Sequence, residues 1–351
     1  MTPGFFTVTV TWRDAPSAAR ARSHGVLTDR SALGRIGADG LVAVHTCARS
    51  TWWGSAKEPA WVAAIVATQV ERAVGVAPVS RIGADGLRHA LEVCVGLDSF
   101  VQGEEDIGRQ VHRALDEQED RRDRTLNLLA QATEQLRARG RVEGFVRPNV
   151  GVGALAVEAL EGLPASTIVG VVGLGEIGVR VIASLRRAGW AEPVGYNRTP
   201  RAGGLGLDAL RPHDAWVVCT AGPSGWFQPP APAHRVIDLG VPAQVGALPM
   251  GTARVEVDAL VTGPGHALPA AMFNAAHAAV DEALANLQAR LAAPQNRLGK
   301  VRDVRDRFLA EVDQYVEVDG LSTAQQAAVR KATRAALRAY THQIVRALGE
   351  P

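Results

Sequence analysis

Cysteine is scarce in this sequence: 351 residues hold three, Cys47, Cys94 and Cys219, and no CxxC pair. An odd number at such wide spacing excludes a disulfide framework and offers no cysteine-based zinc site. Long apolar runs are missing as well. None reaches the ~18 to 20 uninterrupted residues that cross a bilayer, so no membrane partner is expected. The opening Met1-Thr-Pro-Gly-Phe-Phe6 lacks the basic start and small-residue cleavage site of a signal peptide, which makes a reducing cytoplasm the expected compartment. Charge of one sign is not in excess: 38 Lys and Arg face 36 Asp and Glu, a formal net charge of +2. That balance excludes a uniformly basic nucleic-acid coat, so contact with a polyanion calls for a local patch. Gly (36) and Pro (19) follow no fixed period, which excludes collagen-like and low-complexity chains.

What is present is globular: 47% hydrophobic and 21% charged residues, in a chain long enough for two or three domains at roughly 150 residues each. Phe6, Val8, Val10 and Trp12 alternate with Thr7, Thr9 and Thr11, the period of a strand. Leu41 to Val44 predicts a second short strand, ending at His45-Thr46-Cys47-Ala48-Arg49. Pro59 opens a helix with Trp61, Val62, Ile65, Val66 and Val70 at helical spacing. Glu104 to about Gln118 predicts another, with Ile107, Val111, Ala114 and Leu115 on one side; Leu126, Leu129, Ala132 and Leu136 mark the next. Strands and helices without regular alternation read as an α+β domain over residues 1–148.

Residues 149–264 change rhythm. Thr167 to Val172 is a β-branched run that meets Gly173-Leu174-Gly175-Glu176-Ile177-Gly178, and a helical pattern follows over Val179 to Ala188. Pro193 to Asn197, Ala215 to Cys219 and Arg235 to Leu239 supply further strands. This is the βαβ order of a doubly wound, Rossmann-type α/β domain. Residues 265–351 read as helical: Ala267 to Ala292 first, then a stripe from Val301 to Val316. Ser322 to Gln325 has capping-box spacing ahead of Val329, Thr333, Ala336, Leu337, Tyr340 and Ile344. Two amphipathic helices bury each other only partly, which points to a symmetric partner and a dimerisation domain.

A GxGxxG turn directly after a strand and before a helix has the context of a dinucleotide site. Gly173 would permit the tight turn, Gly175 the approach of the pyrophosphate, and Gly178 close packing of helix and strand, with the phosphates on the helix N-terminus. A glycine-rich turn without a ligand is the plain alternative. About 20 residues on, where an NAD site commonly has a carboxylate, stand Asn197, Arg198 and Thr199. A cation and two hydrogen-bonding side chains suit a 2′-phosphate, so NADPH is the expected cofactor; an exposed turn arginine is the alternative.

Cys47 differs from Cys94 and Cys219, which sit inside apolar stretches. It lies at a strand end, two residues after His45 and two before Arg49. A cation nearby raises the thiolate fraction of a thiol whose free pKa is about 8.5. Taken alone it reads first as a small buried side chain rather than a nucleophile, since free Cys is usually buried and inert.

At these residues the chain resembles the glutamyl-tRNA reductase family. Thr46-Cys-Ala-Arg49, His89-Ala-Leu-Glu-Val-Cys-Val-Gly-Leu-Asp-Ser99, Val101-Gln-Gly-Glu104, Asn149 to Ala159, Val171 to Gly178, Tyr196-Asn-Arg-Thr199 and Ile237-Asp-Leu-Gly-Val-Pro242 follow in the family's order. The resemblance implies that Cys47 attacks the glutamyl ester of glutamyl-tRNA to form a thioester. NADPH then reduces it to glutamate-1-semialdehyde, the first step toward 5-aminolevulinate and porphyrins. It makes His89 the activity-linked histidine and Arg49 the fork for a substrate carboxylate. Thr46, Ala48, Ser99, Glu104, Glu105, Asp106 and Gln110 become positions along the substrate site, although Glu105 and Asp106 also read simply as first-turn acids. It further implies a homodimer and brings glutamate-1-semialdehyde aminotransferase into view as a partner. Departures stand at Ala48, Thr51, Glu105, Asp106 and Arg109. For the tRNA phosphates, Arg121, Arg122, Arg124, Arg137, Arg139, Arg141 and Arg147, with Arg330, Lys331, Arg334 and Arg338, are the available cations, or else solvated helix faces. Two other readings stay open: an NADP-dependent aldehyde or acyl-thioester dehydrogenase independent of tRNA, and a non-enzymatic protein that binds NADPH and tRNA.

Overall fold

A computed structural model describes residues 4–27, 36–116, 123–148, 150–199, 204–261 and 266–293, with short helical pieces between 325 and 336. The stripe from Val301 to Val316, the Ser322 cap, Arg121, Arg122, Arg330, Arg334 and Arg338 lie outside the described residues.

The first sheet is four-stranded and antiparallel. Strand β1 (Gly4–Thr11) pairs with β3 (Arg49–Ala56) on one side and β4 (Val79–Ile82) on the other, and β2 (Ala38–His45) lies beyond β3. Both faces of β1 are covered. Phe6, Val8 and Val10 pack with Trp52 against Val62, Val66 and Val70 of α2 (Pro59–Val74), behind the short α1 (Ser17–Arg22). The threonine face is buried too: Thr7 and Thr9 have essentially no exposure, and Thr9 Oγ1 meets Thr51 Oγ1 at 2.6 Å. Pro59 at the first turn and a left-handed Gly75 after the last bound α2 as their backbone preferences dictate.

The other face carries α3 (Ala84–Cys94), α4 (Glu105–Asp116) and α5 (Arg124–Glu143). Asp123 caps α5 by accepting the Leu126 N–H at 2.9 Å. The connection from α3 to α4 folds back tightly at Gly96, where a Cβ would come within 2.7 Å of the Glu104 backbone nitrogen. Glycine is required there, and that turn brings Asp98, Ser99 and Glu104 beside the first sheet.

After α6 (Val152–Glu158) comes a second sheet of six parallel strands: β5 (Val169–Val172), β6 (Val194–Asn197), β7 (Leu205–Gly206), β8 (Ala215–Val218), β9 (Arg235–Asp238) and β10 (Ala253–Glu256). Their spatial order is β7-β6-β5-β8-β9-β10, and α7 (Glu176–Arg187) links β5 to β6. Both sheets belong to one compact unit, Met1–Leu291. Helix α8 (Ala270–Ala292), within the stretch read from sequence as terminal and helical, packs Ala276, Ala279, Val280, Leu284 and Leu287 into the core that holds Leu129 and Leu136 of α5. Residues 292–351 form a separate unit.

Candidate active site

Cys47 occupies the short turn between β2 and β3. The Thr46 hydroxyl accepts the N–H groups of Ala48 (3.1 Å) and Arg49 (3.2 Å), and Thr46 N–H donates to the Arg49 carbonyl at 2.8 Å. Ala48 is buried in the second core with Phe100, Val152 and Leu155, and Cys47 packs at its edge beside Ile177. Cys47 therefore opens on a cleft lined from the first half by Thr46, Glu104, Asp106 and Gln110, and from the second by Val152, Gly153, Ile177 and Arg180. Burial pushes its thiol up to about 12; the Glu104 carboxylate adds to the rise, while Arg20 and Arg49 oppose it.

Arg49, fully buried, sends Nη1 to Asp98 Oδ2 at 2.7 Å; its Nε and Nη2 have no hydrogen-bond partner among the described residues. Asp98 also accepts from Arg13 Nη1 at 2.6 Å, and His89 Nε2 stands 3.4 Å from Asp98 Oδ2. Burial opposes ionisation of Asp98, but the imidazole and the two guanidinia outweigh it and hold its carboxyl far below the usual range. Burial lowers the His89 pKa. His89 does not share the cleft of Cys47. It lines a separate cavity of about 360 Å³ with Thr9, Arg13, Arg81, Asp98 and His277, and the two are joined through Arg49 and Asp98.

Glu104 is 6% exposed. Burial and then the nearby Asp106 carboxylate raise its carboxyl to about 7, against the Ser99 hydroxyl and Arg49. Asp106 and Glu105 are tied into ion pairs: Asp106 with Arg109 and Arg180, Glu105 with Arg109 and Arg141. Arg109 Nε also meets Glu176 Oε1 at 3.1 Å, and Arg113 Nη2 meets Glu176 Oε2 at 3.3 Å.

Glu176 belongs to the glycine turn. Gly173 has φ +93°, and a Cβ on Gly178 would sit 1.8 Å from the Gly173 carbonyl oxygen. At Gly175, the N-cap of α7, a Cβ would meet nothing within 4 Å, and no side chain caps the helix. Leu174 N–H donates to Asn197 Oδ1 at 3.3 Å, and Asn197 Nδ2 donates to the Thr199 carbonyl at 2.8 Å. Arg198 and Thr199 are exposed at the end of β6. The glycine turn thus has room over a bare helix N-terminus, an exposed cation nearby, and a carboxylate already neutralised by arginines.

The sequence profile described as "Glutamyl-tRNAGlu reductase, N-terminal domain" matches residues 5–143. Residues 5–143 are thus similar to the N-terminal domain of the glutamyl-tRNA reductase family. Glutamyl-tRNA reductase 2 of Nocardioides sp. is 32% identical over 273 residues, covering 66% of this chain and 60% of that protein's own length. Among solved structures, glutamyl-tRNA reductase from Methanopyrus kandleri aligns over 97% of this chain and 94% of its own, at 21% identity and TM-score 0.44. A glyoxylate/hydroxypyruvate reductase from Sinorhizobium meliloti covers 48% of this chain and 81% of its own, at 15% identity and TM-score 0.25.

Several arginines read from sequence as tRNA cations are bonded within the protein. Arg124 donates to the Arg290 carbonyl at 2.6 Å, Arg139 pairs with Glu143 and Glu282, Arg141 with Glu105, and Arg147 donates to the Gln102 carbonyl. Arg137 is buried. Four residues of the site escaped the sequence reading. Asp98 stood in the quoted motif, one place before Ser99, without a role. Arg13, Arg20 and Arg180 carry no local signal.

Proposed function

We propose that the protein is an NADPH-dependent glutamyl-tRNA reductase, with a catalytic domain over residues 1–148, an NADP-binding domain over 149–264 and a helical dimerisation domain over 265–351. The observation that carries this reading is the cleft itself, which the Cys47 thiol lines from the first half and Ile177 of the glycine turn lines from the second. An acyl group on Cys47 and a nucleotide on that turn would then face one shared cleft. The strand order β7-β6-β5-β8-β9-β10, renumbered within its sheet, is 3-2-1-4-5-6, the order of dinucleotide-binding domains.

The residues fit a phosphorylated dinucleotide: open space at Gly175, free N–H groups at the start of α7, and Arg198 with Thr199 for a 2′-phosphate. A nicotinamide bound there would supply a hydride to the thioester carbonyl carbon, with the C–S bond breaking so that the sulfur returns to Cys47 as thiolate and the semialdehyde is released. Cys47 attacks the ester carbonyl carbon, forming the C–S bond and breaking the bond to the ribose oxygen, which leaves with a proton. Glu104, titrating near neutrality on the same cleft, is suited to take the thiol proton and return it to that oxygen. Arg49 is fully buried and lines neither cavity, so its unpartnered Nε and Nη2 would reach the substrate carboxylate only after the turn that carries Cys47 opens. His89 acts through Asp98 on Arg49, and Thr46 shapes the turn. Gln110 lines the cleft, and Ser99 tunes Glu104.

The reading carries with it a homodimer and an aminotransferase that consumes the reactive aldehyde. Replacing Arg198 with Glu is expected to weaken NADPH at least tenfold and leave NADH nearly unchanged, as measured by the two dissociation constants; an equal response denies Arg198 its role. A tRNA-independent acyl-thioester dehydrogenase is the second reading, favoured by the internal pairing of Arg124, Arg139, Arg141 and Arg147. The two separate on one assay: NADPH oxidation with glutamyl-tRNA against the same assay with a glutamyl thioester. Turnover on the thioester alone removes the first reading.

A further inference from the structure

Local bonds shape the turn that carries Cys47, and two bonds reach it from outside the hairpin: Trp12 N–H donates to the Ala48 carbonyl at 2.9 Å, and the Arg20 side chain reaches the Cys47 carbonyl. Arg20 on α1, with no exposure at all, donates through Nη2 to the Cys47 carbonyl at 2.5 Å and through Nη1 to the Ala15 carbonyl at 2.6 Å. The same Nη2 meets Asp258 Oδ1 at 2.9 Å, and Asp258 Oδ2 accepts the Ser17 N–H at 2.7 Å. Asp258 lies in the helical turn Val257–Val261 that follows β10, an edge strand of the parallel sheet.

A guanidinium sealed from water is stable only when its charge is matched. Here the match is a carboxylate from the other half of the compact unit. Arg49 does not duplicate it, because the Arg49 charge is directed at Asp98. The charged groups that face the thiol are Glu104 ahead of α4, Arg20 on α1 and Arg49 on β3, with Asp106 and Arg180 on the cleft wall. Among them, Arg20 is the cation bonded to the nucleophile's own peptide. Its planar fork serves a carbonyl and a carboxylate together, which a lysine ammonium on a flexible stem does not reproduce.

We propose that Arg20 and Asp258 are positioning residues for Cys47, forming a strut from a buried guanidinium to a half-buried carboxylate through which the parallel-sheet half sets the placement and charge environment of the nucleophile. This rests on the reading of Cys47 as the nucleophile. Docking of the nucleotide-binding half and readiness of the thiol then become one event rather than two.

Site-resolved iodoacetamide labelling of Cys47 against pH, read by mass spectrometry, tests the strut together with hydrogen exchange of residues 46–49. The proteins compared are the wild type, Arg20→Gln, Arg20→Lys and Asp258→Asn. Arg20→Gln is expected to slow Cys47 labelling about tenfold at every pH below the thiol's own range. Arg20→Lys keeps the charge and restores the labelling rate, yet its loop amides exchange faster than the wild type's because the fork is gone. Asp258→Asn exchanges faster in the same loop without slower labelling. A folded Arg20→Gln with wild-type labelling rates and wild-type loop exchange overturns the proposal. Should that variant not fold, wild-type loop exchange in both Arg20→Lys and Asp258→Asn overturns it instead. Neither readout needs tRNA or NADPH, so failure of the reductase reading shows itself separately, as a wild-type protein that forms no thioester.

Discussion

Asp98 gathers two guanidinia and an imidazole on one carboxylate, and its partner Arg49 has no exposure. Replacing Asp98 with Asn leaves a buried guanidinium without a counter-charge, expected to cost about 3 kcal/mol in a urea-unfolding measurement. The folded-state pKa of Asp98 is depressed, so its contribution is present above the unfolded value and lost as pH falls through the folded one. Glu104 works with the opposite sign. Its folded pKa, about 7, lies above the ordinary glutamate value of 4.5. Between those two values the folded state holds a proton that the unfolded state releases, so stability falls as pH rises through that window. The loss is at most about 3 kcal/mol, and Glu104→Gln should remove the slope from a series of melts between acid and neutral pH. A slope that survives in Glu104→Gln assigns it to another group.

The glycine turn between β5 and α7 makes a paired prediction. Gly178→Ala places a methyl against the Gly173 carbonyl, so it should lower stability by about 1–3 kcal/mol and lose nucleotide binding with it. Gly175→Ala puts the methyl into open space, so its melting temperature should stay near wild type while NADPH affinity falls. Equal melting temperatures for the two variants would deny the contact at Gly178. That turn was legible because strand, glycines and helix are contiguous in sequence; α4 and α5 were legible through their apolar spacing. Strands β3 and β4 were not. The β3 segment, Arg49 to Ala56, is buried on both faces and mixes Arg, Ser and Thr with Trp52 and Trp53, so it shows no alternation. Strand β4 is four residues long, too short for a period to appear. Cys47 and Arg49 could be found from a strand end and a motif. The Arg20–Asp258 pair could not, since 238 positions separate its members and only the fold joins them.

Across the molecule, the first sheet supplies the thiol, the loop after α3 supplies the acid, and the parallel sheet supplies the glycine turn. Ion pairs from Arg109 and Arg113 to Glu176, and from Arg180 to Asp106, fasten α4 to α7 on either side of the cleft. Among the described residues, no helix is long and apolar enough to cross a membrane, and no group of three His, Cys, Asp or Glu could hold a metal ion. The central claim is that Cys47 takes a glutamyl group from RNA at this cleft. It is tested most directly by incubating the protein with radiolabelled glutamyl-tRNA in the absence of NADPH and mapping the label. The account predicts a hydroxylamine-labile label on the Cys47 peptide, absent from Cys47→Ser and discharged when NADPH is added. Label that persists in Cys47→Ser, or a wild-type protein that acquires none, contradicts it.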